Sequence, residues 1–289
     1  MKNIVLLGSG IASFKGIEDF RSVDKSSQMT IVSLDGNYPY DRRLFAQLVE
    51  KDIEPEKVFY QNKKFYQTQK INVILDQTVS RINFKKRKIF IEKDDQKNQI
   101  DFDVLCIAEP LAYRWPDIKG TNKLGVYGLK TLKDIQEMIK AIALVETMIF
   151  QVEDANDFEI AVAFAMREKE VLVILAGEDV PHTQEDAEKV QELKQTLENH
   201  KGRIIAGTSI EEILGDNDVK AVRLKSGKVI AAQTVAFGGL QPDSRLLSEA
   251  PLQIVNNKIA VNEQFQTNID YIFAMGEAAA IVEQAGKNF

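Results

Sequence analysis

The chain has 289 residues, of which 44% are hydrophobic and 28% are charged, and its formal net charge is −6. This composition is typical of a globular protein, and the length is sufficient for two domains. The acidic balance excludes nucleic acid as the main partner, and the single cysteine, Cys106, excludes a disulfide framework. The sequence shows no membrane-spanning run, signal peptide or metal-site motif, so we expect a cytoplasmic protein.

The first predicted elements form a strand, a turn, a helix and a second strand. The apolar run 3–7 leads into Gly8-Ser9-Gly10, a helix is predicted from 11 to about 23, and a strand from 29 to 33 ends near Asp35. Such a β–α–β unit with an acidic residue after its second strand is typical of dinucleotide-binding domains.

Gly8 and Gly10 match the first two glycines of the GxGxxG motif, whose third position is Ser13 here. The first glycine permits a tight turn, and the second lets a pyrophosphate approach the amino end of the helix. Asp35 follows at about the 20-residue distance expected of a carboxylate that binds an adenosine ribose. The sequence therefore predicts a dinucleotide site at this turn.

The remaining chain contains a second β–α–β pattern and several meanders. The basic run Lys85–Lys88 lies between two alternating segments and is predicted to be a solvated hairpin turn. Helices are predicted at 132–144, 157–167 and 184–199, and strands at 73–75, 79–84, 88–92, 104–108, 147–152, 171–175, 203–206, 219–224, 234–237, 259–261 and 272–274. This order predicts a doubly wound α/β protein in which one domain is inserted in another.

Short motifs along nearly the whole chain resemble those of one superfamily, in the same order. They are Gly8–Ala12, Pro39–Arg42, Phe102–Ala108, Ile118–Gly120, Gly125–Tyr127, Ile213–Gly215, Leu224–Ile230, Gln241–Asp243, Gln266–Thr267 and Tyr271–Glu277. The sequence resembles the FAD/NAD-dependent pyridine nucleotide-disulfide oxidoreductases, and is most similar to the branch of rubredoxin reductases and NADH-dependent nitrite reductase large subunits.

The resemblance implies two Rossmann-like three-layer domains and FAD as the cofactor. Residues 1–112 plus 243–289 would form the FAD-binding domain, and 113–242 an inserted, degenerate NAD-binding-like domain. Asp35 would bind the adenosine ribose, Arg42 would lie near the pyrophosphate, and Val79 would contact adenine through its backbone. The implied cofactor-binding residues are Gly8, Gly10, Ile11, Ala12, Ser13, Asp35, Arg42, Val79, Ala108, Glu109, Gly276 and Glu277.

The sequence also departs from the family pattern. The family's Ala-Thr-Gly turn near FAD reads Ala108-Glu109-Pro110 here, and no CxxC pair is present for disulfide reduction. The expected NAD turn, 151–157, has three acids and no glycine, and Ala176 stands where an acid would hold the NAD ribose. Because carboxylates repel a pyrophosphate, the sequence argues against NAD(P)H as a cofactor.

Three functions follow from the sequence. The leading hypothesis is an FAD-binding oxidoreductase that transfers electrons with a protein partner, and no catalytic acid or base is identified. The family's third, C-terminal domain is missing from this sequence, so a protein redox partner or subunit is expected to cover the flavin. The alternatives are a non-catalytic pseudo-oxidoreductase that acts as a protein-interaction scaffold, and an NAD(P)H-dependent FAD reductase with an atypical NAD site.

Overall fold

The chain folds into two compact units. The computed structural model describes residues 2–8, 10–94, 96–108, 113–180, 182–184, 186–238, 241–242, 247 and 251–282. The first unit comprises Met1–Asp41, Phe59–Arg114 and Gln241–Phe289, and the second comprises Arg42–Val58 and Trp115–Leu240. Residues 42–58 therefore belong to the second compact unit, although they precede most of it in the chain. The functional division into an FAD domain and an NAD-like domain stays a prediction.

Short strands and helices follow one another along the described part of the chain. The helices are α1 (Ile11–Val23), α2 (Phe45–Glu50), α3 (Lys63–Thr68), α4 (Leu132–Ala141), α5 (Ala155–Met166) and α6 (Ala187–Asn199), with short 3-10 helices at Arg42–Leu44, Pro55–Val58, Ile142–Leu144 and Gly276–Ala278. The strands are β1 (Asn3–Leu7), β2 (Gln28–Val32), β3 (Ile71–Ile74), β4 (Thr78–Asn83), β5 (Lys88–Lys93), β6 (Gln96–Asp101), β7 (Val104–Ile107), β8 (Tyr113–Arg114), β9 (Val126–Gly128), β10 (Thr147–Gln151), β11 (Glu170–Ile174), β12 (Arg203–Ile205), β13 (Ile210–Leu214), β14 (Ala221–Leu224), β15 (Val229–Ala231), β16 (Thr234–Phe237), β17 (Gln241–Pro242), β18 (Ile254–Val255), β19 (Lys258–Val261), β20 (Ile272–Ala274) and β21 (Ala279–Ile281).

The first unit is built on a five-stranded sheet in the order β20-β7-β1-β2-β3, and every pair in it is parallel. Side chains alternate between the two faces, so Val5 and Leu7 join one hydrophobic core while Ile4 and Leu6 join the other. Because both faces are buried, β1 is a continuous apolar run rather than an alternating one.

An antiparallel meander, β4-β5-β6, packs in the first of these cores through residues such as Ile82 and Ile89. The turn between β4 and β5 holds the basic run, in which Lys85, Lys86 and Arg87 are exposed. The sequence prediction of a solvated hairpin turn is therefore confirmed.

The second unit is built on another parallel five-stranded sheet, β12-β11-β10-β16-β9, and carries the antiparallel meander β13-β14-β15. Helix α5 packs against β11, α2 and α6, and most of its residues are buried. Thr131 and Asp134 start α4 with a capping box. Two parallel sheets with crossover helices confirm the predicted fold class, two Rossmann-like domains.

Several local predictions differ from the structure. Helices α2 and α3 and strand β6 were not expected, and β6 is a polar, exposed strand that forms by pairing with β5. A run of alanines such as 278–280 favours a helix, but the 3-10 turn ends at Ala278, and Ala279–Ile281 pair with β19. Pairing with a neighbouring strand overrides the helix propensity of alanine here.

Among the residues that the structure describes, no helix is both long enough and apolar enough to cross a bilayer.

Candidate functional site

The glycine turn after β1 has the geometry that the sequence predicted. Gly8 has a φ of +110°, which favours glycine, and its N–H donates a hydrogen bond of 3.0 Å to the carbonyl of Val32. Gly10 is the N-cap of α1 and has no side chain, and none of residues 11–14 is acidic. The amino end of α1 therefore presents backbone N–H groups and a partial positive charge that suit an anion.

Asp35 lies just beyond β2, at the carboxyl edge of the same sheet. Its Oδ1 accepts hydrogen bonds from the Ser33 hydroxyl at 3.1 Å and from the Asn37 N–H at 3.2 Å. Its Oδ2 accepts one from the buried Tyr40 hydroxyl at 2.6 Å. Each carboxylate oxygen can accept about two hydrogen bonds, so Oδ2 has room for one further donor, such as a ribose hydroxyl.

Three predicted site residues follow the ends of three adjacent strands. Gly8 follows β1, Ala108 follows β7, and Gly276 follows β20 by two residues. The Ala108 N–H donates to the Leu7 carbonyl at 2.9 Å, and Gly276 has a φ of +62°. The structure therefore brings these residues to one edge of the sheet, where ligands of α/β proteins bind.

Val79 lies in β4 and is buried in the core of the first unit, and its backbone contact with adenine stays a prediction. Arg42 belongs to the second unit and begins a 3-10 helix. Burial raises the pKa of Asp157 in that unit, and the positive charge of Arg42 is one of the charges that oppose this rise.

Several predicted positions lie wholly or partly outside the residues that the structure describes. Glu109 lies outside the described residues, and so does Pro110. Ile11, Ala12 and Ser13 form the first turn of α1, and Glu277 lies in the 3-10 helix, but their side chains lie outside the described part of the chain.

The second unit repeats the hydrogen bonds of the first turn. The Val152 N–H donates to the carbonyl of Ile174 at 3.3 Å, as Gly8 does to the last residue of β2. The Gly238 N–H donates to the carbonyl of Gln151 at 2.9 Å, as Ala108 does to the last residue of β1. These hydrogen bonds align the two turns residue by residue. In this alignment Val152 is equivalent to Gly8, Asp154 to Gly10, and Asp157 to Ser13.

Side-chain carboxylates accept hydrogen bonds from the backbone N–H groups of this second turn. The side chain of Asp154, the N-cap of α5, accepts from the Asp157 N–H at 2.8 Å. The Asp157 Oδ2 accepts from the Glu153 N–H at 3.2 Å. Asp157 is fully buried, so the amino end of α5 is capped from within the chain.

Lys130 forms ion pairs with both carboxylates of this turn. Its Nζ lies 3.6 Å from Asp154 Oδ2 and 3.8 Å from Asp157 Oδ1, and the residue is only 9% exposed. Burial raises the pKa of Asp157 to about 6, and the charge of Lys130 opposes that rise. The acids of this turn are evident in the sequence, but Lys130 is not, because no local pattern links it to a turn more than 20 residues later.

A separate cavity of about 590 Å³ opens on one face of the first sheet. Cys106 lies in its wall and is buried, and burial raises the pKa of its thiol to about 12. The cavity is lined by Lys2, Ile4, Leu6, Phe20, Asp24, Ser26, Ser27, Met29, Val104, Cys106, Phe273 and Met275. None of these is a predicted site residue.

A family model supports the resemblance predicted from the motifs. The model described as pyridine nucleotide-disulphide oxidoreductase matches residues 2–149 and 158–288. The segment between the two matches, 150–157, contains the carboxylate-lined second turn.

Individual relatives span nearly the whole of this chain. It is 27% identical to the nitrite reductase (NAD(P)H) of Bacillus subtilis over 96% of this chain and 34% of that protein. It is 25% identical to the rubredoxin-NAD(+) reductase of Ectopseudomonas oleovorans over 96% of this chain and 71% of that protein. The chain therefore spans about a third of the nitrite reductase.

A solved structure is similar in fold. The putidaredoxin reductase of a covalent complex with putidaredoxin superposes with a TM-score of 0.83 at 20% identity, covering 98% of this chain and 69% of that one.

Proposed function

The chain belongs to the pyridine nucleotide-disulphide oxidoreductase family, and we propose that it binds FAD at the first glycine turn and exchanges electrons with a protein partner. The observation that carries the proposal is the alignment of Gly8, Ala108 and Gly276 on one sheet edge, with the Asp35 carboxylate beside them. This arrangement offers N–H donors for a pyrophosphate and an acceptor for a ribose hydroxyl.

Each part of the site has a role in holding the cofactor. The N–H groups at the start of α1 would bind the pyrophosphate, Asp35 would accept from the adenosine ribose, and the backbone of Val79 would contact adenine. Gly276 and Glu277 would contact the ribityl chain and pyrophosphate. When bound, FAD supplies hydride and electron transfer, while the protein supplies position and electrostatics.

The relatives support a protein partner. One is named for rubredoxin, and the putidaredoxin reductase was solved joined to its redox protein. We infer that this chain also works with a small redox protein or a subunit that covers the flavin.

We further infer that NADH does not reduce the flavin through the second unit. Nicotinamide nucleotides appear in the names of two relatives, so their use occurs among proteins similar to this chain. In this chain, however, the second turn is lined by Asp154 and Asp157 instead of glycine. Because those two relatives are named for nicotinamide nucleotides, an NAD(P)H-dependent reductase with an atypical NAD site is the second candidate.

The visible absorbance of the purified protein tests these functions. Flavin bands at near one FAD per chain, bleached by dithionite but not by NADH under anaerobic conditions, would support the proposal. Rapid bleaching by NADH would favour the second candidate. A colourless protein that takes up no added FAD would contradict both and leave the interaction scaffold.

A matched pair of variants ties the result to the site. Asp35→Ala should lower FAD occupancy, because the ribose acceptor is removed. Asp101→Asn, on the exposed strand β6 of the same unit, should leave it unchanged. Equal FAD binding by both variants would contradict the proposed role of Asp35.

A further inference from the structure

We propose that Asp154 and Asp157, with Lys130 as their counterion, occupy the anion position of the second turn and exclude nicotinamide dinucleotides from this unit. The inference deepens the proposed function and rests on it in one respect, namely that the second turn is where a nicotinamide nucleotide would bind. It does not depend on whether FAD binds the first unit.

The two turns differ at equivalent backbone positions. The hydrogen bond from Val152 to Ile174 repeats the one from Gly8 to Val32, which sets the register between the units. In the first turn the N-cap position is Gly10, which leaves room for a ligand beside the helix end. In the second turn it is Asp154, whose side chain bonds the helix end itself.

Gly238 and Asp157 fit each other. A Cβ atom built on Gly238 would overlap the carboxylate of Asp157, although the φ of Gly238 is not in the left-handed region. The equivalent residue of the first unit is Ala108, which does carry a Cβ. The space opened by the glycine at 238 is therefore filled by the buried carboxylate.

The carboxylates of this turn already have partners within the chain, without a ligand. Asp157 Oδ1 accepts no hydrogen bond within the described residues and faces Lys130 Nζ at 3.8 Å. The N–H groups of Glu153 and Asp157 already donate to carboxylates. An incoming pyrophosphate would meet negative side chains where the first turn offers N–H groups.

The ribose position is also changed. The Leu175 N–H donates to the carbonyl of Ile205, as the Ser33 N–H does to Ile74, so Gly177 is the counterpart of Asp35. Neither Gly177 nor its neighbour Ala176 has a carboxylate that could hold a ribose hydroxyl.

The test measures binding of NADH by its fluorescence, with bound FAD measured separately from visible absorbance. Wild-type protein should show no saturable NADH binding up to about 1 mM, the upper end of usual substrate affinities. The triple variant Val152→Gly, Asp154→Gly, Asp157→Gly should gain saturable binding with a Kd of about 0.1 mM or lower, at least about tenfold below the wild-type limit.

A second variant guards against misfolding. Asp154→Asn with Asp157→Asn keeps residues that can cap a helix but removes both charges, so it should also gain NADH affinity. Asp134→Asn is the matched control. Asp134 is the third residue after the N-cap of α4, as Asp157 is in α5. This variant should gain none.

The outcomes separate this inference from the proposed binding of FAD. Saturable NADH binding by wild type, or no gain in variants whose circular dichroism matches wild type, would overturn this inference. Gly238→Ala should lower the melting temperature of wild type more than that of the triple variant, and equal losses would also overturn it. Absence of FAD from every form would refute the proposed function and leave this inference standing.

Discussion

Replacing Asp157 with Asn should remove a pH dependence from the stability of the second unit. Burial raises the pKa of Asp157 from 3.8 to about 6 in the folded chain, and the charge of Lys130 opposes this rise. Between these two values the folded state holds a proton that the unfolded chain has lost. The stability from this group is therefore fully present below about pH 3.8 and is lost as the pH rises through about 6.

The size of the effect follows from the difference in pKa. At about 1.4 kcal/mol per pKa unit, a difference of roughly two units corresponds to about 3 kcal/mol. Relative to Asp157→Asn, wild type should lose about this much free energy of unfolding between about pH 4 and pH 7.

Urea unfolding followed by tryptophan emission measures this difference. Trp115 is the only tryptophan of the chain, and its ring packs edge-on against Phe237 in the second unit, with ring centroids 6.2 Å apart. Its emission therefore reports on the unit that contains Asp157. Free energies at each pH follow from linear extrapolation.

If the free energies of unfolding of wild type and Asp157→Asn change in parallel with pH, the prediction is wrong. That result would mean that folding does not raise the pKa of Asp157. Asp216→Asn is the control, since Asp216 is an exposed residue of the same unit. That variant should keep the wild-type gain in stability at low pH.

Three further predictions concern the first unit. Tyr40→Phe removes the hydrogen bond of 2.6 Å to Asp35 and should weaken FAD binding roughly tenfold, or about 1.4 kcal/mol, in equilibrium dialysis; unchanged affinity would contradict a positioning role. Cys106, whose pKa burial raises to about 12, should resist a thiol reagent at about pH 8 until denaturant is added, and rapid labelling of native protein would show the thiol to be accessible. Arg87→Ala removes a guanidinium that lies 4.0 Å from the ring centroid of Tyr271, and should cost about 1 kcal/mol of unfolding free energy, whereas Arg87→Lys should cost less.

The elements nearest the proposed cofactor were predictable because their signals are local. The bounds of β1 and α1 match the sequence prediction, since an apolar run, a glycine turn and a helical period lie side by side. Helix α5 begins at Ala155, two residues earlier than predicted, because Asp154 caps it. Strand β6 could not be predicted, since its polar residues become a strand only by pairing with β5.

The sequence by itself determined the family, the glycine turn, the acid at Asp35 and the replacement of the second glycine turn by carboxylates. Those features lie within short segments, so residue type and spacing are enough to identify them. Only the tertiary structure decided that Asp157 is buried, faces Lys130 and fills the space beside Gly238. Burial and charge pairing depend on neighbours that distant parts of the chain bring together, and these neighbours set the ionisation of a carboxylate.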